Sequence, residues 1–175
     1  MEGYWVRTSV KVELTKEEKR LIGRPSSPRW ELDIVAYKGR ENLLHVVECK
    51  SYLDSIGVRA CCFDGTSPEW GARYKLFNEP ELRRVVFNRL CLQMAAVGAC
   101  PDNARVRLSL AAGNVKNAAD REAIRRHFES QGWDFWDELW LRERLHRMAL
   151  QGYENQVSAI VAKLLDREAI DKHSA

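Results

Sequence analysis

Asp33, Glu48 and Lys50 are residue types that could carry hydrolytic chemistry if the chain brings them together. Gly39, Arg40, Glu41 and Asn42 separate two runs rich in Val, Ile and aromatic residues, 30–38 and 43–50, a pattern that predicts an antiparallel hairpin. With Lys38 opposite Leu43, Asp33 falls opposite Glu48 and Glu31 opposite Lys50. Strand alternation then sets Glu31, Asp33, Glu48 and Lys50 on one face of the hairpin's open end. Leu32, Ile34, Val47 and Cys49 take the other face, which is expected to meet the core. Directly opposed Cβ atoms lie roughly 5 Å apart, so the two acids repel each other unless a positive charge sits between them. A divalent cation preferring oxygen ligands, Mg²⁺ or Mn²⁺, meets that need, and Lys50 could orient or activate a water beside it. Such a set is equipped for metal-assisted phosphodiester hydrolysis.

Elements must position this hairpin. Tyr4 to Leu14 alternates as a strand, with Val6, Val10, Val12 and Leu14 on one side, and Thr15 to Arg20 could make a helical turn. Residues 23–29 read as a loop. Residues 51–78 have no readable period, being broken by Gly57, Gly65, Pro68 and Gly71. A helix is predicted over 79–99, with Leu82, Val85, Val86, Leu90, Gln93 and Met94 on one face. A strand follows over 105–112, then a helix capped by Asn117 or Asp120 and closed by Gly132, and a short strand over 133–136. Helices are predicted over 137–150 and 153–170, the last with a stripe of Val157, Ile160, Val161, Leu164 and Leu165. The order predicts an α/β protein with a mixed sheet, one domain over 1–175 with C-terminal helices of about 137–171 packed on it.

The chain has 175 residues, 45% of them hydrophobic and 30% charged, which suits a compact core and argues against disorder. No run approaches the roughly 18 apolar residues of a membrane span, so no membrane partner is expected. Met1 to Trp5 lacks a basic region followed by an apolar one, and no secretory signal is expected. The five cysteines then read as reduced thiols in a cytoplasmic setting, without the paired spacing of a zinc site. The net charge of +3 permits a polyanionic partner without requiring one.

Trp30-Glu31-Leu32-Asp33-Ile34-Val35-Ala36-Tyr37, a turn, and Leu43-Leu44-His45-Val46-Val47-Glu48-Cys49-Lys50 resemble the core of the PD-(D/E)xK phosphodiesterases. These restriction-endonuclease-like proteins include restriction enzymes and Holliday-junction resolvases. The resemblance covers about twenty residues. It implies a mixed sheet with a central hairpin flanked by helices, DNA as partner, and Mg²⁺ or Mn²⁺ as cofactor. It also implies that Asp33, Glu48 and the Cys49 carbonyl hold the metal while Lys50 serves the attacking water. Leu32 stands where the family often has proline. Members usually carry an acid-bearing helix before the first strand, whereas this chain starts almost at that strand. Glu13 could substitute for its acid, the helix could be supplied elsewhere, or the chain could belong to something longer. Some members place a glutamine on the helix after the lysine strand, and Gln93 is on such a helix here.

Bland readings stand beside this one. Glu31 and Lys50 could form a cross-strand ion pair with Asp33 and Glu48 merely bordering solvent, and Glu31 is otherwise a third carboxylate. Glu17-Glu18-Lys19 repeats the acid-x-lysine spacing on a polar turn. His45 pairs with Ala36 on the face away from Glu48 and is excluded from the site, while His127 and His146 are expected at the surface. Trp133, Trp136 and Trp140 are expected to build core or an interface. Lys19, Arg20, Arg24 and Arg29, together with Lys16, precede the Asp33 strand and are candidate phosphate contacts. Two functions follow: a Mg²⁺-dependent DNA endonuclease, or a catalytically inactive nuclease-fold module that binds nucleic acid or protein. A glycosidase would set its acids across a cleft rather than on one hairpin. Cutting both strands of a dyad-symmetric substrate would require a homodimer.

Overall fold

The computed structural model describes residues 3–26, 29–150 and 159–163. One five-stranded sheet contains β1 (Tyr4–Val12), β2 (Trp30–Lys38), β3 (Leu43–Lys50), β4 (Arg105–Ala112) and β5 (Asp134–Trp136), side by side in chain order. The first three strands are antiparallel, whereas β4 runs parallel to β3 and β5 parallel to β4. Helices α1 (Lys16–Leu21), α2 (Pro68–Gly71), α3 (Lys75–Asn78), α4 (Pro80–Ala96), α5 (Ala118–Gln131) and α6 (Glu138–Leu150) accompany the sheet, with short 3₁₀ turns at Gly39–Glu41 and Ala60–Cys62. The fold is therefore mixed α/β, a mixed sheet flanked by helices.

The two parallel connections, β3–α4–β4 and β4–α5–β5, advance across the sheet in one direction. Right-handed crossovers of that kind place both helices on one face. Leu82, Val85, Val86, Leu90 and Met94 of α4 and Ile124 and Phe128 of α5 accordingly share one core with Val35, Leu44, Val46, Leu108 and Leu110 of the sheet. Pro80 starts α4 at a position where a missing N–H costs nothing, and Asn117 caps α5 by accepting the Asp120 N–H. On the opposite face Leu43 and Val47 are buried; Ala159 and Ala162, in the last described stretch, are themselves buried. Buried Asp137 caps α6 through the Trp140 N–H and is held by Arg121 and Arg125.

Several expectations are corrected. The main core lies on the Val35–Val46 face, not on the face of Leu32, Ile34, Val47 and Cys49. Leu32 nevertheless enters that core, while Ile34 is half-buried and Cys49 exposed. Val6 is 55% exposed, on the sheet's edge strand. Gln93 belongs to no apolar stripe, since its amide is bonded to main chain of Lys11 in β1 and of Glu13, the residue directly after that strand. Ile160 and Val161 face outward and the small Ala159 and Ala162 face in, which inverts the expected C-terminal stripe. The remainder of the helix expected over 153–170 lies outside the described residues. His127 is half-buried in an aromatic cluster with Phe63, Phe128 and Trp133 rather than at the surface.

Candidate active site

The hairpin has the register its turn dictates. Lys38 faces Leu43, and the ladder continues through Tyr37–Leu44, Ala36–His45 and Val35–Val46 to Ile34–Val47, where it ends. A 3₁₀ turn over Gly39–Glu41 and Asn42 in the left-handed conformation close the loop. Beyond Ile34–Val47 the strands part. Leu32 and Val35 are both fully buried in one core although they are three residues apart, so strand alternation fails between them. Asp33 sits at that break. It has no ladder partner on β3, and on the β1 side the pairing passes from Thr8–Ile34 to Val10–Leu32. Ser9, the residue skipped there, has φ +50°. The strand irregularity therefore lies at the acid itself.

The Asp33 carboxylate occupies the gap. Its Oδ2 accepts the backbone N–H of Cys49 at 2.7 Å, a donor that a continued ladder would have given to a β2 carbonyl. A strand residue's N–H and C=O point to the same side, so the Cys49 carbonyl also faces Asp33. Glu48 pairs with Leu110 on β4 and so lies on the helix-covered face, at the rim of the main core. Its Oε1 accepts from Lys50 Nζ at 2.6 Å, with both side chains about one-fifth exposed. The ammonium also lies 5.8 Å from the ring centre of Tyr74. Burial and a hydrogen bond with Tyr52 push the Tyr74 hydroxyl up, so it is a neutral phenol beside the cation. Partial desolvation, helped by the charges of Asp33 and Glu48, raises the Cys49 thiol, which argues against a thiolate role.

The loops after β3 and β4 hold this end rigid. Gly113 N–H donates to the Lys50 carbonyl at 2.8 Å, Val58 N–H to the Asn114 carbonyl, and Lys116 N–H to the Val58 carbonyl. A Cβ on Gly113 would stand 2.3 Å from the Ser51 carbonyl, and one on Gly57, at φ +90°, 2.8 Å from that of Asn114. Only glycine permits the two loops to lie this close. The clamp fixes Lys50 at the carboxyl ends of β3 and β4, the edge where open α/β sheets commonly bind ligands. A cavity of about 230 Å³ opens there, lined by Glu48, Trp30, Arg73, Tyr74, Lys75 and Phe77 among others.

The donors suit a hard cation. Asp33 Oδ1 and Glu48 Oε2 make no hydrogen bond among the described residues, and both carboxylates and the Cys49 carbonyl supply oxygen. Among the described residues no group of three or more His, Cys, Asp or Glu side chains forms a metal cluster, so a cation here would rest on two side chains. The other sequence candidates have partners of their own. Glu31 faces Lys11 on β1 instead of Lys50, because the β2–β3 ladder has already ended. Glu13 pairs with Arg29 at 3.2 Å and gives its N–H to Gln93 Oε1 at 2.6 Å, while Gln93 Nε2 donates to the Lys11 carbonyl. Gln93 is thus a tether between α4 and the end of β1.

The basic residues before the hairpin are differently placed from their sequence reading. Arg24 grips both oxygens of Glu79 at 2.7 Å, while Lys19 and Arg20 belong to α1, in the stretch read as a helical turn. Glu18, in the competing acid-x-lysine triplet, forms a capping box with Thr15 and an ion pair with Arg89. His45 is buried on the other face, with Nδ1 3.7 Å from Asp134 Oδ2. Sequence reasoning missed Arg73, Tyr74 and Lys75. Their signal was an aromatic-basic interleaving, Trp70 to Lys75, inside a segment without hydrophobic period. A scan against protein-family models finds no match to this chain, and neither do searches of curated proteins and of solved structures.

Proposed function

We propose that this protein is a metal-dependent DNA endonuclease of the PD-(D/E)xK, restriction-endonuclease-like kind. The observation that carries the reading is the broken ladder at Asp33, whose carboxylate takes the Cys49 N–H, the main-chain group between Glu48 and Lys50, which pair with each other. A sheet gains no stability from ending its pairing on an acid in this way, so the arrangement points to a site. Asp33, Glu48 and the Cys49 carbonyl would hold Mg²⁺ or Mn²⁺, which supplies Lewis-acid charge for phosphodiester hydrolysis. Lys50 binds and orients the attacking water and offsets the negative charge that builds on the phosphoryl oxygens. Water adds at phosphorus and gives up a proton, a P–O ester bond breaks, and the leaving alkoxide takes up a proton, leaving a phosphomonoester and an alcohol.

One observation favours the inactive-module reading. Asp33 and Glu48 each already have a protein proton donor, Cys49 N–H and Lys50 Nζ, so neither charge needs a cation to be satisfied. Two experiments decide. Plasmid or branched DNA is expected to be cut with Mg²⁺ or Mn²⁺ and spared in EDTA, with Asp33→Ala and Lys50→Ala folded and inactive. Persistent cutting by both variants refutes the assignment. Calorimetric titration is expected to show Mn²⁺ binding to the wild type and a loss of it in Glu48→Ala. Equal heats, or none in either protein, favour the module.

A further inference from the structure

We infer that Arg59, Arg73 and Lys75 form a track for the phosphate backbone of DNA leading to the Glu48 cavity, replacing the basic residues before the hairpin in that role. The inference rests on the nuclease reading for the identity of the polyanion.

Trp70 of α2 carries a guanidinium on each of two contacts. Arg59 Cζ lies 4.6 Å from its ring centre and Arg73 Cζ 5.2 Å. One indole therefore holds two planar cations, pre-organising side chains that are otherwise among the most mobile. Neither arginine makes an ion pair among the described residues, and the Arg59 Nε is buried with no hydrogen-bond partner there. Glu69, adjacent to Trp70 in sequence, pairs with neither. Crowded cations without a carboxylate repel, just as the two acids do, and a polyanion relieves them.

Position points to which polyanion. Arg73 and Lys75 line the same cavity as Glu48, so the cations continue directly from the candidate catalytic carboxylate. Lys75 also makes no ion pair among the described residues. The contrast with the rest of the basic surface is sharp. Arg24 is bound to Glu79, Arg29 to Glu13, Arg84 to Glu81 and Arg89 to Glu18. Those arginines would have to give up a carboxylate to take a phosphate. Arg59, Arg73 and Lys75 would give up nothing. Phosphate contacts of this kind position a strand without reading its sequence.

The test measures binding of a fluorescently labelled DNA duplex by anisotropy, in EDTA so that no cutting occurs, over a series of salt concentrations. Arg73→Gln and Lys75→Gln are each expected to weaken binding about 3- to 10-fold at moderate salt and to lower the slope of log affinity against log salt by about one, for any base sequence. Arg126→Gln, an exposed arginine on α5, sets the baseline for losing one positive charge anywhere, and Arg24→Gln is expected to match it. Arg73→Glu is expected to exceed Arg73→Gln. Slopes for Arg73 and Lys75 variants equal to the Arg126 baseline overturn the track, as does a wild-type protein with no measurable affinity. Failure of the two ideas is separable: a salt-dependent track in a protein that never cuts with Mg²⁺ sinks the nuclease alone, and cutting with unchanged slopes sinks the track alone.

Discussion

The two ends of the β2–β3 hairpin obey different rules. At the turn, five residue pairs stay in register, Leu43, Leu44, Val46 and Val47 are buried, and the Tyr37 hydroxyl donates to Asn42 Oδ1 at 3.1 Å. At the other end the ladder stops, a side chain takes over a main-chain acceptor's task, and Glu48 and Lys50 satisfy each other at the rim of the core. One end is built for stability and the other departs from the regular sheet where charged groups gather. Local rules fail first where a protein gives up regular pairing for a site.

The largest effect that separates the ends is Asp33→Asn. The amide keeps an oxygen to accept the Cys49 N–H, so the splayed strands persist, but the negative charge is gone. Cleavage is expected to fall by about 10³-fold or more while the thermal midpoint moves little. Gel assays of nicking, set beside a melting curve, check both halves. Retained cutting in this variant would mean that the charge at the open end has no chemical role.

Leu44→Ala inverts that pattern at the closed end. Leu44 is fully buried against the helix-covered core, and truncation is expected to cost about 2–5 kcal/mol, read from urea unfolding. Below the new midpoint, cutting per folded molecule is expected to be unchanged. A smaller effect follows for Tyr37→Phe, which removes the bond to Asn42 and is expected to cost about 1 kcal/mol. An activity loss in either variant would join the two ends into one functional unit.

These ends also differed in how well they could be read. The turn composition and the Val- and Ile-rich runs specify the register, because a slip of one residue would expose every buried side chain. The α4 and α5 helices were equally legible through apolar spacing, the leading proline and the Asn117 cap. The core face was misjudged within the intact ladder, because the charged residues at the open end were read as marking a solvent face, whereas Val35, Leu44 and Val46 turn that face to the core. Glu31 lacks its expected Lys50 partner because the ladder ends before it. Side-chain partners were less legible still. Nothing in the spacing of Arg24 or Glu79, 55 positions apart, tells that they meet. The 51–78 segment was opaque because short helices and a glycine clamp, rather than a hydrophobic period, shape it.

The smallest expected effect concerns His45, which lies in the closed part of the hairpin opposite Ala36. Burial lowers its pKa from the usual 6.5, Asp134 works against that shift, and Arg107 adds to it. The Nδ1 has no hydrogen-bond partner among the described residues, so protonation inside the fold would bury a charge that Asp134, 3.7 Å away, only partly offsets. The unfolded chain takes up its proton first as pH falls through about 6.5, and the folded chain takes it up only at lower pH. Stability is therefore complete above pH 6.5 and declines between the two values, then levels off once both states are protonated. Urea unfolding across this range is expected to show the decline in the wild type and a flatter profile in His45→Phe. A wild-type profile that rises on acidification would reverse the sign and make Asp134, not burial, the group that governs the closed end.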